Sequence, residues 1–125
     1  MQNNFSVLYV ERDLIFKDKY TRFLRLFFKN VYVASSQKEA LEKYYIYRPD
    51  ILIFDIDTPQ INGMKVAQEI RQFDEDIIFI VLTASSDTDK ILIAAELKLF
   101  KYLIKPIKTF EIETLLKNVT TQLTK

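Results

Sequence analysis

Ile51-Leu52-Ile53-Phe54-Asp55-Ile56-Asp57-Thr58-Pro59-Gln60-Ile61-Asn62-Gly63 opens with four consecutive apolar side chains and breaks on a carboxylate. The run does not alternate with polar residues. A strand built from it must therefore be covered on both faces, as strands of a parallel sheet are. Asp55 falls where such a strand ends.

Outward from this stretch, the same kind of run recurs at 7–10, 77–82 and 102–104, with a shorter one at 31–34. Between them the period becomes helical. Phe16, Tyr20, Phe23, Leu24 and Phe27 share one face, while Asp18, Arg22, Arg25 and Lys29 fall mainly on the other. Core packing is the expected use of that aromatic stripe. Ser36 and Glu39 read as a capping box opening a helix to about Tyr47, which the Arg48-Pro49-Asp50 turn ends. Further helices are expected at 66–73, at 87–97 with Ser86 or Asp87 as cap, and from Thr109 onward. Strand then helix, five times over, selects an α/β fold: a flavodoxin-like (βα)5 open parallel sheet of order 2-1-3-4-5, with helices on both faces. With no internal repeat or Gly/Ser linker, residues 1–125 are expected to form one domain.

Composition narrows the chemistry. The 125 residues hold no His and no Cys, which excludes a Ser-His-Asp triad, a zinc helix, thiol catalysis and disulfides. Gly63 is the only glycine, so neither a P-loop nor a GxGxxG turn can form. Eighteen Lys and Arg against seventeen Asp and Glu leave a net charge of +1, too little to favour nucleic acid or an anionic membrane. No apolar run spans a bilayer and no basic leader precedes one, so a cytoplasmic chain with no membrane partner is expected.

In a sheet of this topology, residues just past the carboxyl ends of the strands meet at one crevice. Glu11, Arg12 and Asp13 follow the first strand, Asp55 the third, Thr83 the fourth and Lys105 the fifth. Carboxylates, a hydroxyl and an ammonium around one crevice suit an anion that arrives with a divalent metal.

These motifs resemble those of response-regulator receiver domains, over essentially the whole chain. The stretch 51–63 is similar to the family's strand, phosphorylatable Asp, Pro four residues on and Asn/Asp-Gly turn. Leu82-Thr83-Ala84 resembles its hydroxyl-plus-small-residue motif, and Tyr102-Leu103-Ile104-Lys105-Pro106 its aromatic, Lys and Pro ending. The resemblance implies that Asp55, Thr83 and Lys105 are the catalytic set. Asp55 would take a phosphoryl group from a histidine kinase or phosphotransfer protein, Thr83 and Lys105 would meet the phosphoryl oxygens, and Glu11, Asp55 and the Asp57 carbonyl would hold Mg²⁺. Thr83 and Tyr102 would be the switch pair and the Lys105-Pro106 bond would be cis. Such a domain would catalyse its own phosphotransfer and autodephosphorylation; it is not a metabolic enzyme. It would switch the surface of its fourth helix, fifth strand and fifth helix toward an effector protein or domain, or a second copy, without contacting nucleic acid.

Two departures matter. Where the family carries a second acid after the first strand, this chain has Arg12. A guanidinium about 4 Å from a divalent ion is repelled by roughly 8 kcal/mol at an effective dielectric near 20. Arg12 can extend into solvent and leave Asp13 or Asp57 to supply charge, can pair with Asp55 and block metal, or can contact the phosphoryl group itself. A pseudo-receiver, with the fold but only a protein-binding or dimerisation role, is therefore the alternative function. Before the fifth strand, Lys98-Leu99 replaces the family's Gly-Ala, so the turn is expected to use another backbone geometry. The sequence ends on the fifth helix, which suits either a stand-alone receiver or the front of a longer protein.

Overall fold

The computed structural model describes residues 3–55, 63–83, 98 and 101–124. Within them β1 (Asn3–Val10), β2 (Phe28–Ala34), β3 (Ile51–Phe54), β4 (Ile78–Thr83) and β5 (Lys101–Ile104) run parallel in one sheet. Their order is β2-β1-β3-β4-β5. Around them stand α1 (Leu14–Phe27), α2 (Gln37–Tyr47), α3 (Gly63–Arg71) and α4 (Thr109–Leu123), the last filling the place of the fifth expected helix. The helix expected at 87–97 lies outside the described residues.

Every residue of β3 and β4 is buried, as unbroken apolar runs require, because side chains of alternate parity feed two cores. On one face Val7, Tyr9, Ile51, Ile53, Ile80 and Leu82 pack with Tyr20 and Leu24 of α1 and with Leu115, Leu116 and Val119 of α4. On the other, Leu8, Val10, Leu52, Phe54, Phe79 and Val81 pack with Ala40 and Tyr44 of α2 and with Val66, Ala67 and Ile70 of α3. This parity decides where each strand-end side chain is delivered.

Several boundaries differ from the sequence expectation. α1 passes straight into β2 at Phe28, three residues before the expected strand, because Phe28 is fully buried and its backbone pairs with Asn3. β1 likewise begins at Asn3, with an irregularity before Ser6. Ser36 caps α2 as expected, accepting from the Glu39 N–H at 3.1 Å. The Glu39 carboxylate, however, reaches back to the Ser35 N–H at 2.6 Å instead of closing the box on Ser36. Lys108, and not Thr109, is the N-cap of α4; its N–H is held by the Glu111 side chain at 3.0 Å.

Before β5, Lys98 adopts φ 59°, in the left-handed region that glycine enters without penalty, so a Cβ-bearing residue carries strain there. Lys98→Gly should stabilise the fold by about 0.5–1 kcal/mol, measured as an upward shift of the urea midpoint with unchanged slope. No shift would mean the strain is relieved elsewhere. Among the described residues no helix is long and apolar enough to cross a membrane.

Candidate functional site

Parity brings the strand ends together. Glu11 and Asp55 continue the parity of Tyr9 and Ile53, and Lys105 that of Leu103, all on the α1/α4 face. Thr83 continues Phe79 and Val81, and Tyr102 packs on that same α2/α3 face. The Lys105 N–H donates to the Thr83 carbonyl at 2.7 Å, which fixes the fifth strand's end beside the fourth's. The Lys105-Pro106 peptide is cis, as expected.

At the centre is a buried ion triad. The Lys105 ammonium donates to Asp55 Oδ2 at 2.8 Å and also to Glu11 Oε1. Side-chain exposure is 3% for Lys105, 1% for Glu11 and 11% for Asp55, so solvent screens these charges little. Burial opposes the lysine's charge, but the hydrogen bonds and charges of Asp55 and Glu11 outweigh it and hold Lys105 above the ordinary lysine range. Thr83 is fully buried.

An aromatic wall closes the pocket on the α1 side. The Phe16 ring centroid lies 4.6 Å from the Lys105 ammonium, close enough for a cation–π contact. Phe16 stacks on Tyr20 at 5.7 Å, and Tyr20 Oη accepts the Ile107 N–H at 3.0 Å. Beneath, the Tyr9 hydroxyl donates to Glu11 Oε1 at 3.0 Å. Burial first, then the Glu11 carboxylate, push that hydroxyl far above the ordinary tyrosine value, so it stays a donor.

The sequence-predicted residues separate into two groups. Glu11, Asp55 and Lys105 meet; Thr83 sits beside them at the end of β4, and Tyr102 is half-buried on β5. Asp57 lies outside the described residues. Asp13 does not join the pocket: its Oδ1 accepts the Ile15 and Phe16 N–H groups at 2.9 and 3.0 Å as the cap of α1. Arg12 is exposed, and the ion pairs of Glu11 and Asp55 among the described residues are with Lys105. The exposure of Arg12 fits extension into solvent, and Lys105 holds the place on Asp55 that a pairing Arg12 would take. Sequence reasoning passed over Tyr9, although a tyrosine in an otherwise aliphatic buried strand must find its hydroxyl a partner, and Glu11 lies two residues on. Phe16 gave no signal beyond its place in the core stripe.

Does the donor set fit Mg²⁺? Among the described residues no three acidic side chains cluster. Mg²⁺ nonetheless keeps several waters and needs only one or two carboxylates. Glu11 and Asp55, hard oxygen donors joined through one ammonium, meet that minimum.

A sheet of this order, with a buried Asp-Lys pair at its carboxyl edge, is the flavodoxin-like architecture, and the comparisons give its family. The family described as "Response regulator receiver domain" matches residues 7–117, and the chain belongs to it: it is a receiver domain of two-component response regulators. Among curated relatives, the transcriptional regulatory protein PrrA of Mycobacterium tuberculosis is 33% identical over 106 residues, 85% of this chain and 46% of that protein. The probable transcriptional regulator ycf27 of Guillardia theta is 37% identical over 89 residues, 71% of this chain and 35% of that protein. The chain thus spans about a third to a half of the length of the curated relatives it matches. Among solved structures, the non-phosphorylated HemR receiver domain of Leptospira biflexa superposes with a TM-score of 0.83 at 25% identity, covering 93% of this chain and 94% of that one. A receiver domain protein from Clostridium thermocellum, at 22% identity, shares the fold with a TM-score of 0.84 over 96% of this chain and 97% of its own.

Proposed function

We propose that this chain, taken as one domain over residues 1–125, is a working phosphoacceptor. An Asp55 carboxylate oxygen attacks the phosphorus of a phosphohistidine on a histidine kinase or phosphotransfer protein. The P–N bond breaks, the imidazole leaves with the electron pair, and an acyl phosphate forms on Asp55. The observation that carries this reading is the Lys105 ammonium 2.8 Å from Asp55 Oδ2 in a buried pocket. Because phosphoryl transfer spreads charge over the equatorial oxygens, a site needs mainly positioned positive charge and donors. Lys105 pairs with one phosphoryl oxygen and the Thr83 hydroxyl donates to another. Glu11, Asp55 and the Asp57 carbonyl would hold Mg²⁺, which when bound neutralises phosphoryl charge.

Tyr102 follows Thr83 as the switch residue in this reading, since the two share a face of the sheet. The output surface would include β5 and α4, where Ile104 and Phe110 are 50% and 63% exposed; an effector protein or domain, or a second copy, would bury them. The names of the relatives, which include transcriptional regulators, suggest transcriptional output. Incubation with a small phosphodonor and Mg²⁺ should add one phosphoryl mass in acid-stable, base-labile form, and Asp55→Asn should abolish it. No gain with any divalent metal would reject the reading in favour of a pseudo-receiver, the alternative that Arg12 supports.

A further inference from the structure

Both carboxylate oxygens of Glu11 already accept hydrogen bonds. Its Oε1 receives both the Tyr9 hydroxyl at 3.0 Å and the Lys105 ammonium, and its Oε2 receives the Asp13 N–H at 3.3 Å. Tyr9 is fully buried, and its ring is fixed edge-on to Tyr20 at 6.5 Å. Tyr20 in turn holds Phe16 against the ammonium. A cation seeking Glu11 therefore meets a carboxylate whose inner oxygen already has two donors, one of which is a competing positive charge.

We propose that Tyr9 is a positioning residue: its hydroxyl pins Glu11 Oε1 on the Lys105 ammonium, so that Glu11 serves as the lysine's counter-ion and yields to a divalent cation only as that ammonium leaves. The inference rests on the metal-assisted reading of the pocket. It assigns this chain an exchange of ammonium for metal, with the tyrosine setting how readily it occurs.

The sign of one substitution separates this role from the obvious competitor. A hydroxyl that merely oriented a metal-ligating carboxylate would, when removed, weaken metal binding by about 10–100-fold. A hydroxyl that pins the carboxylate on a rival cation would, when removed, strengthen it by about the worth of one hydrogen bond, roughly three- to tenfold. Tyr9→Phe keeps the ring and its packing, so the fold should survive the change.

The test is calorimetric titration of Mg²⁺ into the unphosphorylated chain and its Tyr9→Phe variant, without phosphodonor. Tighter binding by the variant, or binding in the variant alone, supports the proposal; equal or weaker binding, or none in either, overturns it. A second measurement uses the unaltered chain. The Lys105 ammonium proton–nitrogen signal should move as Mg²⁺ is added, with a midpoint at lower Mg²⁺ in Tyr9→Phe. A signal that stays put at saturating Mg²⁺ overturns the exchange. Failure of the phosphorylation assay leaves these binding results intact, so the two readings fail separately.

Discussion

Lys105→Met should destabilise the fold by about 3–5 kcal/mol at neutral pH and slow phosphoryl acceptance at least a hundredfold, because it strands two buried carboxylates. The methionine fills most of the volume, so packing is not the cause. Glu11 and Asp55 are 1% and 11% exposed at the side chain, and neither can turn to water without opening the strand ends. Adding Glu11→Gln to Lys105→Met should recover a large part of the loss, since a single remaining carboxylate at the pocket mouth is far easier to hydrate. Urea unfolding of the three proteins at neutral pH measures both the loss and its recovery. A loss under about 1 kcal/mol at neutral pH would mean that the pocket admits water freely, against the burial described above.

Much of this was legible from the residues. Unbroken apolar runs such as 51–54 can only be strands covered on both sides, and their alternation with helical periods leaves few topologies. Asp55, Thr83 and Lys105 were readable because each sits at a strand's carboxyl end, where parity and topology do the positioning. Harder to read were features set by side-chain partners. Asp13 looked like a possible pocket acid, yet a capping position competes for the same carboxylate and wins. Phe28 fell between the helical stripe that ends at Phe27 and the strand expected from Val31, yet its backbone pairs in the sheet while its ring is buried in the core that stripe serves. Lys98 looked like a change of turn geometry because glycine was missing, and its left-handed φ of 59° shows a Cβ-bearing residue carrying strain that glycine would not. Arg12 had three placements open from sequence alone. It is exposed, and Lys105 is the cation paired with Asp55, across 50 residues of chain.

Gly63→Ala should cost about 2–3 kcal/mol and slow phosphorylation of Asp55 by about a hundredfold, the second effect exceeding what the stability loss explains. Gly63 opens α3 with no positive φ, so backbone freedom is not why glycine stands there. Space is the reason. A Cβ on Gly63 would lie 2.5 Å from the Asp55 carbonyl oxygen and 2.8 Å from Phe54 Cδ2, both closer than carbon atoms tolerate. Neither neighbour can give way cheaply. Phe54 is fully buried and set edge-on to Phe79 at 5.8 Å, and the Asp55 backbone directly follows a strand paired on both sides. Retreat of α3 instead would pull Val66, Ala67 and Ile70 from the core they share with β3 and β4. Relief must therefore fall partly on the Asp55 backbone, moving the proposed nucleophile relative to Lys105, and a displacement near 1 Å is enough for a hundredfold loss of rate. Rates with a small phosphodonor, taken well below the variant's melting temperature and compared with exposed Lys65→Ala as control, isolate the positional effect. An unchanged rate in folded Gly63→Ala would show that α3 yields as a body and that Asp55 does not depend on this contact.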